Sequence, residues 1–160
     1  NKFEIRRYEQ VQIVEVFQKD FRKNSLKSGF RRLIKYISSE NVANEKISMT
    51  IPVMQKKNNA DDEWTIQFVL PKKYSAKNTP SPNNSDLKIK TFDLNYAAVI
   101  RFSGAADDKL IAENEKLLID WIKKENLIIS SSSIYAFYND PLTPGIFRRN
   151  EILFKLKYDN

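Results

Sequence analysis

The amino-acid sequence predicts an α+β fold in which eight antiparallel strands form one sheet or barrel and two helices pack against it. The order strand-strand-helix-strand-strand occurs twice, with Phe3 matching Leu87, and this repetition favours an internal duplication. Apolar and polar residues alternate in most of the predicted strands, which is typical of antiparallel sheets. A chain of 160 residues buries roughly 70% of its unfolded surface. We therefore expect one domain, 1–160, with two halves at about 1–75 and 86–160.

The first half begins with two strands in "FEIRRYEQVQIVEVF", residues 3–17, which are separated by a break near Glu9 and Gln10. A helix is predicted to follow, from about Ser25 to near Asn41. Apolar residues spaced by four, three and four positions predict its buried face, namely Leu26, Phe30, Leu33 and Ile37.

The third predicted strand, Lys46–Met54, has the sequence "KISMTIPVM" and contains both methionines of the chain. Its alternate residues are apolar, namely Ile47, Met49, Ile51 and Val53. A polar hairpin loop joins it to a fourth strand over Glu63–Leu70. Residues 71–86 are rich in Pro, Asn and Ser, which predicts a long loop, either a flexible flap or a connector between the halves.

The second half repeats this order of elements. Four strands are predicted, at 87–92, 97–102, 132–138 and 150–158. Between the second and third of them, Asp107 or Asp108 is predicted to cap a helix that Asn126 closes. The apolar face predicted for this helix consists of Leu110, Leu117, Leu118, Trp121 and Ile122.

The composition limits the chemistry of the chain, which contains neither cysteine nor histidine. Ser-His-Asp catalysis, thiolate catalysis and histidine ligation of haem iron are therefore excluded. The three glycines are isolated, so there is no glycine-rich phosphate loop. Nothing in the sequence selects a catalytic pair among the carboxylates that remain as candidates, namely Glu4, Glu15, Asp140 and Glu151. We therefore expect no enzymatic activity and predict no metal site.

The net charge of +7 indicates attraction to anionic partners, although the basic doublets are spread along the chain. Several aromatic residues fall on predicted apolar faces, which favours a role in the core over sequence-specific binding of nucleic acid. They are Phe3, Trp64, Phe68, Trp121 and Phe154. No apolar run has the roughly 20 residues that a transmembrane helix needs. We therefore expect a soluble protein. Because the chain starts at Asn1 and not at a methionine, both a cytoplasmic protein and one exported after loss of a signal peptide stay open.

Four segments occur in an order and at a spacing that resemble one family. They are "FEIRRYE" at 3–9, "GFRRLIKYISSEN" at 29–41, "KISMTIPV" at 46–53 and "YNDPLTPGIFRRNEI" at 138–152. Together they resemble the SOUL/haem-binding protein family over essentially the whole chain. This resemblance implies a distorted eight-stranded antiparallel barrel, flanked by two long helices and built as a pseudo-twofold repeat. It also implies non-covalent binding of haem or another tetrapyrrole.

The resemblance places the binding site in a shallow hydrophobic cleft beside the first helix. Met49 and the apolar residues around it are expected to form the floor, basic residues to meet the ligand's carboxylates, and the loop that begins at Tyr138 to face it. Met49 or Met54 is a lesser candidate for an axial iron ligand. The site residues predicted in this way are Arg32, Leu33, Lys35, Tyr36, Ile37, Ile47, Met49, Tyr138 and Leu142, with Lys46 as a further cation.

Two departures from the family pattern leave an alternative open. Family members usually carry "Gly-x-Asn" after the first helix, whereas this chain has "SSEN" at 38–41, and it has no histidine. The lead hypothesis is a carrier, buffer or sensor of a tetrapyrrole or another small apolar anion. The alternative is a haem-independent domain that binds a small-molecule effector or a protein.

Overall fold

The computed structural model describes residues 2–158, and its elements follow the predicted order. The first half contains β1 (Phe3–Tyr8), β2 (Val11–Lys19), α1 (Arg22–Ser38), β3 (Val53–Lys57) and β4 (Glu63–Val69). The second half contains β5 (Leu87–Phe92), β6 (Asn95–Phe102), α2 (Asp108–Lys124), β7 (Ile134–Phe137) and β8 (Asn150–Lys155). A single 3₁₀ turn, Gly145–Phe147, precedes β8. The α+β class with eight antiparallel strands and two helices is thus confirmed.

Residues 10–93 form one compact unit, which we call the central unit. Its antiparallel strands have the order β3-β4-β2-β5, so that β2 and β4 are the inner pair. Helix α1 packs against β2 and β4. The core between helix and sheet includes Val14, Leu33 and Ile66, all of which are fully buried.

Residues 2–9 and 94–158 form the second compact unit, which we call the terminal unit. Its antiparallel strands have the order β1-β6-β8-β7, and α2 packs against β6 and β8. Ile100, Leu118 and Ile152 are buried in its core. The two units therefore have the same secondary-structure content, namely four antiparallel strands and one α-helix.

The units do not coincide with the two halves of the sequence. Strand β1 pairs with β6, and β2 pairs with β5, so each unit contains one strand from the opposite half. The loop at 71–86 joins β4 to β5, so it connects the two halves of the sequence, as one of the two predictions for it states, and it lies inside the central unit. The duplication, the closed barrel, the flanking position of the helices and the single-domain assignment stay predictions.

Helix α1 begins three residues earlier than predicted, and its buried face is rotated. Ser25, Gly29 and Leu33 are buried against the sheet, whereas Phe30 is exposed and Leu26 is half-buried. The reason is steric, because a Cβ atom at Gly29 would lie 2.3 Å from the Cγ1 atom of Ile66. The small residues let the helix approach β4 closely, and a search for large apolar residues misses such a face.

Helix α2 has the predicted ends. The Asp107 side chain accepts a hydrogen bond of 2.8 Å from the Leu110 backbone N–H, and Asn126 adopts a positive φ of 56° after the last turn. Only part of the predicted apolar face is buried, since Leu117 is exposed. The fully buried positions are Ile111, Asn114, Leu118 and Ile122.

The strand predicted over Lys46–Met54 is wrong, because β3 begins only at Val53. The backbone N–H of Ile47 donates a 2.8 Å hydrogen bond to the carbonyl of Ile37, at the end of α1, and not to a neighbouring strand. Residues 45–50 have no regular secondary structure, and the peptide bond between Ile51 and Pro52 is cis. Alternation alone does not make a strand when the backbone hydrogen bonds go elsewhere.

Candidate ligand-binding surface

The stretch 42–51, which we call the post-helix segment, is fixed against the end of α1 by Asn41. This buried side chain donates hydrogen bonds to the carbonyls of Tyr36 (3.0 Å) and Glu45 (2.8 Å), and its oxygen accepts one from the Glu45 N–H (3.1 Å). A single amide thus holds both ends of the turn after the helix. The position of the segment follows from the "SSEN" motif.

Ser39 occupies the position at which the family usually carries glycine, and its backbone explains that preference. Its φ is 132°, in a region that favours glycine because a Cβ atom is strained there. The backbone at Ser39 therefore has a conformation that favours glycine, although the residue is a serine.

We expect Ser39→Gly to raise the free energy of unfolding by about 1 kcal/mol, because relief of the strain outweighs the added entropy of the unfolded chain. Ser38→Gly is the matched control, since Ser38 is the last residue of the helix and has no positive φ. That control should destabilise by about 0.5–1 kcal/mol. Chemical denaturation of both variants measures the difference, and destabilisation by Ser39→Gly would refute the strain.

Four of the predicted site residues lie beneath the surface of the central unit. Leu33, Tyr36, Ile37 and Ile47 are all buried. The Tyr36 hydroxyl donates a 2.7 Å hydrogen bond to the carbonyl of Pro80, in the loop at 71–86. Burial, with a smaller effect of Tyr74 and Glu45, raises the pKa of Tyr36 to about 12. These residues support the surface above them and are part of the core.

The accessible part of the predicted site is basic and apolar. Met49 is 47% exposed, Lys35 and Lys46 are exposed, and Arg32 is half-buried with a 2.6 Å ion pair to Asp86. The post-helix segment also exposes Val42 and Ile51, which the sequence analysis did not assign to the site. The sequence feature that could have identified them is the presence of several apolar residues in a segment without regular secondary structure. We call Val42, Met49 and Ile51 the apolar residues of this surface.

Tyr138 and Leu142 lie in the terminal unit. The Tyr138 hydroxyl donates a 2.9 Å hydrogen bond to Glu151, and the guanidinium of Arg149 lies 4.1 Å from the centre of its ring. Burial, followed by the negative charge of Glu151, raises the pKa of Tyr138. Leu142 is 91% exposed. Tyr138 is thus held by neighbours in its own unit, and Leu142 is accessible.

Glu151 is a fully buried carboxylate that the sequence analysis treated only as one of four acidic candidates. Arg6 Nη1 lies 2.9 Å from both of its oxygens, and Arg149 approaches with Nη2 at 2.8 Å and Nε at 3.0 Å. Burial lowers the pKa of Arg6, but hydrogen bonds to Glu4, Tyr8 and Glu151 outweigh it and raise that pKa. Two guanidinium groups and the Tyr138 hydroxyl thus hold this carboxylate inside the terminal unit.

Each of the other candidate carboxylates has a polar partner. Glu4 bonds to Arg6, Asp140 accepts from the Leu142 N–H, and Glu15 bonds to Gln67 (2.8 Å) and to Lys90 (2.5 Å). No group of three metal-ligating residues occurs within 2–158. In the same stretch, no helix is both long enough and apolar enough to pass through a bilayer.

The chain is an α+β protein of antiparallel strands with an accessible basic and apolar surface. It belongs to the SOUL heme-binding protein family, which matches residues 1–155. No curated protein matches the sequence.

Solved structures share the fold. A hydrolase from Listeria innocua has 12% identity and a TM-score of 0.69, covering 98% of this chain and 92% of that chain. The C-terminal domain of EcmrR has 11% identity and a TM-score of 0.71, covering 98% of both chains. At such identities the similarity concerns the fold alone.

Proposed function

We propose that this protein binds haem or another tetrapyrrole non-covalently on the surface of the central unit, beside the C-terminal half of α1. It acts as a carrier, buffer or sensor and not as an enzyme. The observation that carries the proposal is the exposure of Met49 and Ile51 in a segment attached to a helix whose last turn carries Lys35. Membership of the SOUL family supports the class of ligand.

The residues present fit such a ligand. A flat macrocycle requires an apolar surface, and the flexible, polarizable side chain of Met49 adapts well to one. The carboxylates of the ligand require cations, which Lys35 and Lys46 provide at exposed positions. Burial of about 300 Å² of ring surface contributes roughly 7–8 kcal/mol before the costs of association. That is enough for useful affinity without an iron ligand.

The two methionines differ in their access to the ligand. Met49 is exposed, whereas Met54 is buried in β3, next to the inner strand β4. If a thioether contacts haem iron, Met49 is the residue that reaches it. Arg32 contributes less to the binding of carboxylates than Lys35 does, because it already pairs with Asp86. The roles of Tyr138 and Leu142 stay predictions from the resemblance.

A titration of the purified protein with haemin tests the proposal. We expect a saturable one-to-one shift of the Soret band that weakens as salt is added, because salt screens the contacts between lysine and carboxylate. Lys35→Gln/Lys46→Gln should weaken binding about tenfold and remove most of the salt dependence. The control variant is Lys109→Gln/Lys123→Gln, which removes the same number of positive charges from α2 and should bind haemin as the unmodified protein does. A spectrum identical to that of free haemin would refute binding.

The alternative is a haem-independent domain that binds a different effector or a protein. The burial of Leu33, Tyr36, Ile37 and Ile47 favours it, since these residues leave a smaller apolar surface than predicted. A panel of apolar carboxylates without a macrocycle, measured by calorimetry, separates the two hypotheses. Tight binding of a panel member together with no haemin shift would support the alternative.

A further inference from the structure

The positive charge of the protein is concentrated in the central unit. Residues 10–93 contain 15 basic and 9 acidic side chains, whereas the rest of the chain contains 12 and 11. Helix α1 alone has six basic and no acidic residues. Asp20 lies just before the helix and accepts a hydrogen bond of 2.6 Å from the Phe21 N–H. The charge of the protein is therefore largely a property of one helix and its surroundings.

Three of these residues form what we call the basic stripe, namely Lys23, Lys27 and Arg31. They are spaced by four, so they follow one another along the outer face at steps of about 6 Å. All three are exposed, and none has a side-chain hydrogen bond or ion pair to any residue between 2 and 158. They are thus available to an external anion.

The basic stripe does not stabilise the helix. Like charges four residues apart repel each other, and cations near the first turn oppose the helix dipole. Helix α2 of the same protein is arranged in the opposite way. It has Asp108 in its first turn, Lys123 and Lys124 in its last, and the ion pair Lys116–Asp120 at 2.9 Å. This contrast indicates that the charges on α1 serve binding.

Exposed phenylalanines lie next to the basic stripe. Phe21, immediately before the helix, is 80% exposed, and Phe30 is partly exposed with its ring in edge contact with Phe68 at 5.3 Å. Phenylalanine beside lysine and arginine is the combination by which peripheral proteins enter the boundary between headgroups and acyl chains. Stacking of nucleic-acid bases requires open ring faces among the cations. The ring of Phe30 is already in contact with Phe68, which leaves Phe21 as a single open ring and no series of ring faces on which bases could stack.

We propose that the outer face of α1 docks the protein on an anionic phospholipid bilayer. The basic stripe contacts the lipid headgroups, and Phe21 enters the interfacial layer. Electrostatic attraction provides most of the affinity, and the apolar side chain makes the contact persist when salt is raised. This surface adjoins the proposed ligand surface, because Lys35 lies four residues after Arg31 and continues the same row of the helix. The basic stripe itself does not include Lys35 or the post-helix segment, so the variants below leave both unchanged.

Co-sedimentation with vesicles tests the proposal. We expect binding to vesicles of phosphatidylcholine with phosphatidylserine and none to phosphatidylcholine alone. Lys23→Gln/Lys27→Gln/Arg31→Gln should weaken binding at least about tenfold. Lys77→Gln/Lys109→Gln/Lys123→Gln, which has the same net charge, should bind within about threefold of the unmodified protein. Circular dichroism verifies that both variants are folded.

A fluorescent probe tests the role of Phe21. Phe21→Trp should show a blue shift with the anionic vesicles only, against the constant background of Trp64 and Trp121. Equal loss in both triple variants would mean that net charge alone acts, and this would overturn the proposal. Binding to neutral vesicles would also overturn the proposal. The same holds if the protein binds no vesicles but binds labelled oligo-dT in a way that depends on the basic stripe.

Discussion

Glu151→Ala is expected to lower the free energy of unfolding by about 3 kcal/mol. The carboxylate is completely buried, and its removal leaves Arg6 with Glu4 as its carboxylate partner, Arg149 without its carboxylate and the Tyr138 hydroxyl without its acceptor. Breaking a buried ion pair by deleting one member costs more than the pair contributes, since the remaining charge is left in a poorly solvated position. Both arginines keep some contact with water, which places the expected loss at the lower end of the range for buried pairs.

Glu151→Gln separates charge from volume. It keeps the shape of the side chain and should lose about 2 kcal/mol, because an amide cannot accept from two guanidinium groups as a carboxylate does. Glu113→Ala is the control, since Glu113 is exposed and lies 4.0 Å from Lys109. We expect that variant to change stability by less than about 0.5 kcal/mol. Urea denaturation measures all three, and a Glu151→Ala protein as stable as the control would contradict the account.

Gly29→Val is expected to destabilise the protein by about 3 kcal/mol or more. A Cβ atom at Gly29 would lie 2.3 Å from Cγ1 and 2.7 Å from Cβ of Ile66. Ile66 is fully buried on the inner strand β4. Overpacking of this kind forces the helix away from the sheet. Gly29→Ala should lose about 1–2 kcal/mol, although alanine has the better helix propensity by roughly 1 kcal/mol.

A double-mutant cycle identifies the steric origin of this effect. Ile66→Ala makes room for the new methyl group, so Gly29→Ala should be much less harmful in that background. Ser28→Ala is the control at the neighbouring exposed position, where the same substitution should be neutral or slightly stabilising. Additive losses in the cycle would show that the contact between Gly29 and Ile66 does not limit the approach of the helix.

The order of the elements was predictable because local signals act within each segment. The Asp107 side chain accepts a hydrogen bond from a backbone N–H in the first turn of α2, and Asn126 adopts the positive φ that ends the helix. Both effects depend on a residue at the helix end itself. The exchange of strands between the halves depends on pairing across long stretches of chain, as in β1 with β6. No local pattern encodes that choice.

Errors occurred where backbone contacts, and not side-chain polarity, determine the structure. Gly29 and Ser25 are buried because they are small, and Ile47 leaves the strand pattern because its N–H bonds to the helix. Strand β8 shows a third case, since Glu151 is fully buried although its local sequence does not distinguish it from Glu4, Glu15 and Asp140. The strand lies between β6 and β7, and both of its faces are covered.

The exposure of the predicted site residues could be inferred from the sequence only in part. Met49 and Lys35 are accessible, as the hypothesis requires, whereas Leu33 and Ile37 are core residues. Apolar residues on one helix face look alike in sequence whether they line a cleft or fill the interior. Burial is decided by what packs against them, which is the sheet for Leu33 and includes the post-helix segment for Ile37, whose carbonyl accepts a hydrogen bond from Ile47.

The most direct test of the central claim compares haemin affinity between Met49→Asp and Leu117→Asp. The two side chains are similarly exposed, at 47% and 45%, but Leu117 lies on α2 in the terminal unit. We predict that Met49→Asp weakens binding at least about tenfold, through lost apolar contact and repulsion of the ligand's carboxylates. Leu117→Asp should bind as the unmodified protein does. Equal affinities in both folded variants would contradict a tetrapyrrole site at Met49.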